Sequence, residues 1–229
     1  MGKRLITQRR GKGGPHYRSP SHRHVDDVRL PSFDEGTGTI KDLIQAPGRT
    51  SPLAVIDFGG VTDYQLAAAG MKVGQKIQVG GDRIAPGCIT MLSRIPEGTA
   101  IHNIESKPGD GGKYAKTAGS SATVVTRGER VMVLMPSGAM KDFNPSCRAA
   151  VGVVAGGGRG DKPLAKAGKN YLTLRSRSTA NKKVSGVAMN AVDHPHGGGS
   201  HPHVGGPNCQ KRTASPGQKV GFLPKKKRK

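Results

Sequence analysis

The sequence predicts a mainly β protein: two small barrels in tandem, flanked by long, basic, irregular arms. Three observations carry that reading. Short apolar runs recur between turn residues at roughly 8–12-residue intervals through the middle of the chain, the spacing of small barrels. Glycine (35) and proline (16) are abundant among 229 residues, which disfavours helix. The net charge of +22 is also unevenly placed. Residues 1–36 hold eight bases and four acids, residues 37–158 thirteen and nine, and residues 159–229 sixteen and two. The ends are therefore strongly basic, a footprint for a polyanion, while the middle is close to an ordinary soluble domain.

Residues 1–36 read as an extended arm. Arg9, Arg10, Lys12, Arg18 and Arg23 alternate with glycines, histidines and Tyr17. Glycines and bases interleave instead of forming a block, so a segment that orders on phosphates is favoured over a disordered tail. Such an arm reaches up to about 120 Å when extended.

Residues 37–92 read as the first barrel. Leu53-Ala54-Val55-Ile56-Asp57-Phe58 is a strand closed by Gly59-Gly60. Tyr64-Gln65-Leu66-Ala67 is a strand or a helical turn. Lys76-Ile77-Gln78-Val79 alternates as a strand should, and Cys88-Ile89-Thr90-Met91-Leu92 is another. Residues 93–158 read as the second barrel, with strands from Thr99 to Glu105, Ala122 to Thr126, Arg130 to Met135 and Ala150 to Val154. Pro108-Gly109-Asp110-Gly111-Gly112 and Pro136-Ser137-Gly138 are turns between them, and Asn144 to Arg148 reads as one helical turn. Domains this small are marginal alone. From 159 onward the chain is a basic, glycine-rich extension in which Lys162, Lys166, Lys169, Arg175, Arg177, Lys182 and Lys183 recur. Pro163 to Gly168 reads as a short helix. The closing Lys225-Lys226-Lys227-Arg228-Lys229 is open to three readings: solvated charge, phosphate contact or nuclear-import signal.

The chemistry-bearing motifs exclude several functions. Gly156-Gly157-Gly158-Arg159-Gly160 matches no nucleotide-binding fingerprint, and no Gly-x-Ser-x-Gly elbow occurs. Cys88, Cys147 and Cys209 are odd in number and far apart, which argues against a disulfide framework and fits a reducing compartment. No stretch reads as a signal peptide or a membrane span. Eight aromatic residues, none of them Trp, supply no stacking platform for single strands. Folded RNA, read by shape and phosphate, is the better partner.

The densest motif is Asp193-His194-Pro195-His196-Gly197-Gly198-Gly199, preceded by Met189-Asn190. Proline fixes one torsion and the glycines free three, so it reads as a shaped, displayed loop. His194, His196, His201, His203 and Cys209 carry zinc-type donors, but their spacing matches no structural-zinc pattern, and no metal is expected. Imidazole as a residue type suits a general base, yet no matching nucleophile accompanies His196 in the sequence. A hydrogen bond to RNA is the stronger reading.

The stretch Val187 to Gly199 closely resembles the signature loop of the L-two family of large-subunit ribosomal proteins. Other family motifs follow in order: Pro47-Gly48-Arg49-Thr50-Ser51-Pro52-Leu53-Ala54, Gly70-Met71-Lys72-Val73-Gly74, Ile95-Pro96-Glu97-Gly98-Thr99, Pro108 to Lys113, Cys147-Arg148-Ala149, Ala155 to Arg159 and Lys166-Ala167-Gly168. The likeness covers nearly the whole chain and fits the archaeal and eukaryotic branch. One departure lies before the loop, where Lys182-Lys183-Val184-Ser185-Gly186 replaces the usual Pro-x-x-Arg-Gly, so the expected arginine at 185 is absent. The resemblance implies an OB-like barrel followed by an SH3-like barrel. It also implies that the chain is a cytoplasmic, ribosomal, structural constituent of the large subunit, with no activity of its own. Its partners would be large-subunit rRNA, other ribosomal proteins and the small subunit at a bridge, with no membrane. No cofactor is expected beyond Mg2+ held by the rRNA. The role would be to support subunit joining, tRNA binding and the peptidyl transferase region, near which His196 would lie. The expected rRNA contacts are Arg9, Arg10, Lys12, Arg18, Arg23, Arg49, Arg148, Arg159, Lys166, Lys169, Arg175, Arg177, Lys182, Lys183, Met189, Asn190, Asp193, His194, His196, Gly197, Gly198, Lys211 and Arg212. Two other classes compete: a free-standing nucleic-acid packaging protein, and a histidine- or metal-dependent enzyme.

Overall fold

A computed structural model describes residues 13–176, 184–215 and 217–221. The chain forms two compact units: residues 21–165, and the two ends, residues 1–20 with 166–229.

The 21–165 unit is mainly β. Its strands are β1 (Gly36–Ile44), β2 (Leu53–Phe58), β3 (Val61–Leu66), β4 (Lys76–Val79), β5 (Ile89–Met91), β6 (Ala100–His102), β7 (Ala122–Thr126), β8 (Val131–Leu134), β9 (Met140–Phe143) and β10 (Arg148–Val151). They run in the hydrogen-bonded order β3-β2-β1-β4-β5-β10-β6-β7-β8-β9. Four buried clusters lie along this order, and the two largest are these. Ile40, Ala54, Ile56, Ala67 and Ile77 fill one. Leu92, Ile95, Ile101, Ile104, Val124, Val131, Val133 and Phe143 fill the other. Strand β10 returns between β5 and β6, which ties the late chain into the middle of the sheet.

Two strands are not anticipated by the sequence. In β1 only Gly38 and Ile40 are buried, so it shows no apolar run. Its two glycines also argue against a strand. Gly38 is required there because a Cβ would lie 2.6 Å from Ile56 and from the Phe58 ring. In β9 only Phe143 is buried. Strand β10 starts at Arg148, earlier than the expected Ala150, and Asn144 to Cys147 is a turn closed by Cys147 N–H to the Asn144 carbonyl at 2.9 Å. Residues 28 and 30, read as arm from the sequence, are core: Val28 packs with Leu53 and Leu66, and Leu30 with Val79 and Ile89.

In the other unit, among the described residues, the regular helix is α1 (Ala167–Ser176), later and longer than the short helix expected at 163–168. A 3-10 turn spans Pro15–Tyr17, and another, Gly186–Ala188, opens the signature loop. Among the described residues no helix is long and apolar enough to cross a membrane.

Candidate nucleic-acid interface

The loop after Gly186–Ala188 is held by its own backbone. The Asn190 carbonyl accepts from Asp193 N–H at 3.0 Å and from His194 N–H at 3.2 Å. Gly197 N–H donates to the His194 carbonyl at 2.9 Å, and Gly198 N–H to the Met189 carbonyl at 3.0 Å. The loop therefore folds back on its first residues. Gly197 permits this: a Cβ there would sit 2.4 Å from both the Met189 and Asn190 carbonyl oxygens. Gly198 and Gly199 both have φ +86°, which strongly favours glycine.

The histidines are part of the same closure. His196 backbone N–H donates to His194 Nδ1 at 3.0 Å, so the neutral His194 ring carries its proton on Nε2. The two rings meet edge-on, 4.9 Å apart. Gly186 makes room, since a Cβ there would lie 2.4 Å from the His194 ring. Burial, then the neighbouring His196, holds the His194 pKa below its ordinary value. His196 Nε2 is buried without a hydrogen-bond partner among the described residues, and the ring's Cε1 lies beside Gly221. Both histidines are thus half-buried braces, as are Met189, Asp193, Gly197 and Gly198, while Asn190, Ala191, Val192 and Pro195 are exposed at the loop surface. The arrangement orients imidazoles; it does not pair a base with a nucleophile.

The basic residues divide by exposure. Arg18, Arg159, Lys166, Lys169, Arg175, Lys211 and Arg212 are exposed, and Arg23 and Arg49 half-buried. Arg9, Arg10, Lys12, Arg177, Lys182, Lys183 and the 225–229 run lie outside the described residues.

Arg148 is held within the fold. Its side chain is 8% exposed and ion-paired to the fully buried Glu105 at 3.1 Å. It also donates to the Phe33 carbonyl at 3.1 Å. Glu105 in turn accepts from Arg148 N–H at 2.8 Å and from Gly111 N–H at 3.4 Å. The guanidinium expected on RNA is committed to the fold, because a buried carboxylate requires a paired charge.

A basic corner also forms in the 21–165 unit. Arg49 Nη2 donates to the Asp26 carbonyl at 2.8 Å, and its buried Nε has no partner among the described residues. Arg159 reaches the adjacent Thr50 carbonyl at 3.3 Å. Lys116 Nζ, held by the Val28 and Gly112 carbonyls at 2.8 and 3.1 Å, has its pKa lowered by burial first and by Arg49 next. Sequence reasoning misses Lys116, since a single lysine in Lys113-Tyr114-Ala115-Lys116 carries no periodic or motif signal.

No three His, Cys, Asp or Glu side chains among the described residues converge to hold a metal ion. Cys88 and Cys147 are buried and Cys209 exposed, all as free thiols.

Comparison with known proteins agrees with the geometry. The family model described as Ribosomal Proteins L2, C-terminal domain, matches residues 85–219, more than half of the chain. Large ribosomal subunit protein uL2 of Thermoplasma acidophilum is 51% identical over 231 residues, covering 100% of this chain and 98% of that protein. The proteins of the same name from Picrophilus torridus and Archaeoglobus fulgidus are 48% and 49% identical, covering 100% and 97% of this chain and 98% and 96% of their own lengths. With a family match over the loop and the second core, and full-length relatives near half identity, this chain belongs to the L2 family of ribosomal proteins.

Proposed function

We propose that this chain is a structural constituent of the large ribosomal subunit, that it binds large-subunit rRNA, and that it is not an enzyme. The observation that carries the RNA assignment is the position of the charge. Every residue from 156 to 169 is exposed, including Arg159, Lys162, Lys166 and Lys169, while in the 21–165 unit Arg148 and Lys116 are drawn into the fold. Family membership supplies the ribosomal setting, in the cytoplasm. We assign residues 37–92 to an OB-like barrel and 93–158 to an SH3-like barrel. The rRNA contacts are Arg18, Arg23, Arg49, Arg159, Lys166, Lys169, Arg175, Lys211, Arg212 and the face of the loop at Asn190, Val192 and Pro195. The sequence-predicted cations outside the described residues belong to the same set.

The finer roles follow from the loop. It supports subunit association, tRNA binding and the peptidyl transferase region, where the rRNA performs the chemistry, with other ribosomal proteins and the small subunit as neighbours. Filter binding to large-subunit rRNA across a salt series tests the charge assignment. Phosphate contacts set the salt slope, so deleting 159–229 must flatten it more than deleting 1–24, which carries seven bases and no acid. Equal slopes for the full chain and the tail deletion refute the assignment. His196→Gln tests the loop: particles carrying it form peptide bonds at near-normal rates if the ring is a brace. A loss on the order of 10²–10⁴-fold in the chemical step, in particles of normal composition, marks a general base.

A further inference from the structure

We propose that the outer face of α1 docks closely into the shallow minor groove of a folded large-subunit rRNA helix, with Gly168 at the point of nearest approach. This rests on the rRNA-binding role proposed above and narrows it to one face of one element.

A helix advances about 100° per residue. On that wheel Asn170, Thr173 and Leu174 share one side, and all three are half-buried. The opposite arc carries Tyr171, Arg175, Gly168, Leu172 and Lys169, in that angular order, and all five are exposed. Tyr171 is 50% and Leu172 60% exposed. A finished surface helix points its large apolar side chains at a core and its polar ones at water. Here Tyr171 and Leu172 stand on the open side and only Leu174 is turned in, and a helix of 10 residues is marginal without packing of its apolar side chains.

Gly168 is the second, independent observation. A Cβ at this position would meet nothing within 4 Å, and its backbone is not left-handed. Neither the packing of the chain nor its torsions call for glycine at this first-turn position. Its use is explained by another surface that comes up against the backbone at that point.

Charge selects the occupant. Residues 162–176 hold Lys162, Lys166, Lys169 and Arg175 and no acid. On the exposed arc Arg175 and Lys169 flank a low strip made by Gly168 and Leu172, and they are offset by about 9 Å along the axis. An A-form RNA helix presents two phosphate rows on either side of a wide, shallow minor groove lined by 2′-hydroxyls. The strip fits the ribose floor, the cations reach the two rows, and the Tyr171 hydroxyl meets a 2′-hydroxyl.

The test uses the full-length protein, purified large-subunit rRNA, and the variants Gly168→Ala, Leu172→Ala and Tyr171→Ala. Gly168→Ala is expected to raise helix content by circular dichroism while weakening rRNA binding by about fivefold or more. Hydroxyl-radical footprinting should lose protection at riboses of a base-paired segment. A better-folded variant that binds worse separates docking from folding. If the unmodified chain itself fails to prefer large-subunit rRNA over unrelated RNA, the RNA-binding role fails. If it binds specifically while Gly168→Ala and Leu172→Ala bind equally well, that role stands and this inference is overturned. Two further outcomes also overturn it: a Tyr171-dependent competition by single-stranded poly(U) as strong as that by duplex, or normal rRNA binding by the variants with loss of a neighbouring ribosomal protein from the particle.

Discussion

The Glu105–Arg148 pair illustrates how far one residue's surroundings change its role. Arg148 sits beside Cys147 in a motif of the family, and its charge suits a phosphate. The structure instead places it over a fully buried carboxylate. Glu105→Ala leaves the buried guanidinium with only the exposed Asp34 carboxylate, 3.7 Å away, and is expected to destabilise the free protein by about 3–5 kcal/mol. Urea unfolding measures this, and a change under 1 kcal/mol would contradict the pairing. The second residue-scale expectation concerns His194. Its folded pKa is depressed by burial and by His196, while the unfolded chain titrates near 6.5. The unfolded state therefore takes up the proton first, and the loop loses stability as pH falls below about 6.5. Protonation at Nδ1 also removes the acceptor for His196 N–H. Ring-resonance titration by NMR should give His194 a midpoint below 6.5; a higher midpoint excludes the buried-acceptor geometry. A third expectation is that Gly197→Ala opens the loop, since the added carbon meets two carbonyl oxygens. The loop amide resonances should shift while those of the 21–165 unit stay in place.

At the scale of elements, β1 is the least obvious and the most constrained. It bridges β2 and β4, with a register shift between Ile40 and Asp42. The Lys41 ammonium, 2.8 Å from Asp57, bonds to that carboxyl and, with Gly60 N–H, lowers its pKa. Gly38→Ala forces a methyl into Ile56 and Phe58, an overpacking expected to cost about 1–3 kcal/mol. Strand β6 supplies the complementary case. His102 is fully buried, with Nδ1 at 3.0 Å from the Gly152 carbonyl. Burial lowers its pKa more than the Gly152 and Leu66 carbonyls raise it. It therefore folds neutral, and its contribution to stability also falls as pH drops below about 6.5.

For the whole molecule, the 21–165 unit holds the strands, the four buried clusters and the Glu105–Arg148 pair. A fragment of those residues is expected to unfold cooperatively by itself, with a weaker salt dependence of rRNA binding than the full chain; a fragment without a cooperative transition would show that the ends complete its core. The sequence by itself determined the mainly β class, the basic ends and the family. Those rest on strand periodicity at β2, β4, β7 and β8, on charge counts, and on linear motifs such as Asp193 to Gly199, all of which are local properties of the chain. Tertiary structure alone decided that β1 and β9 are strands, that Val28 and Leu30 are core, that Arg148 is structural, and that Lys116 joins Arg49. It also turned Tyr171 and Leu172 outward. The physical reason is common to all of these. Burial and charge pairing depend on residues distant in sequence, Phe33 and Glu105 for Arg148, Ile56 and Phe58 for Gly38, and no local pattern encodes which of them will meet.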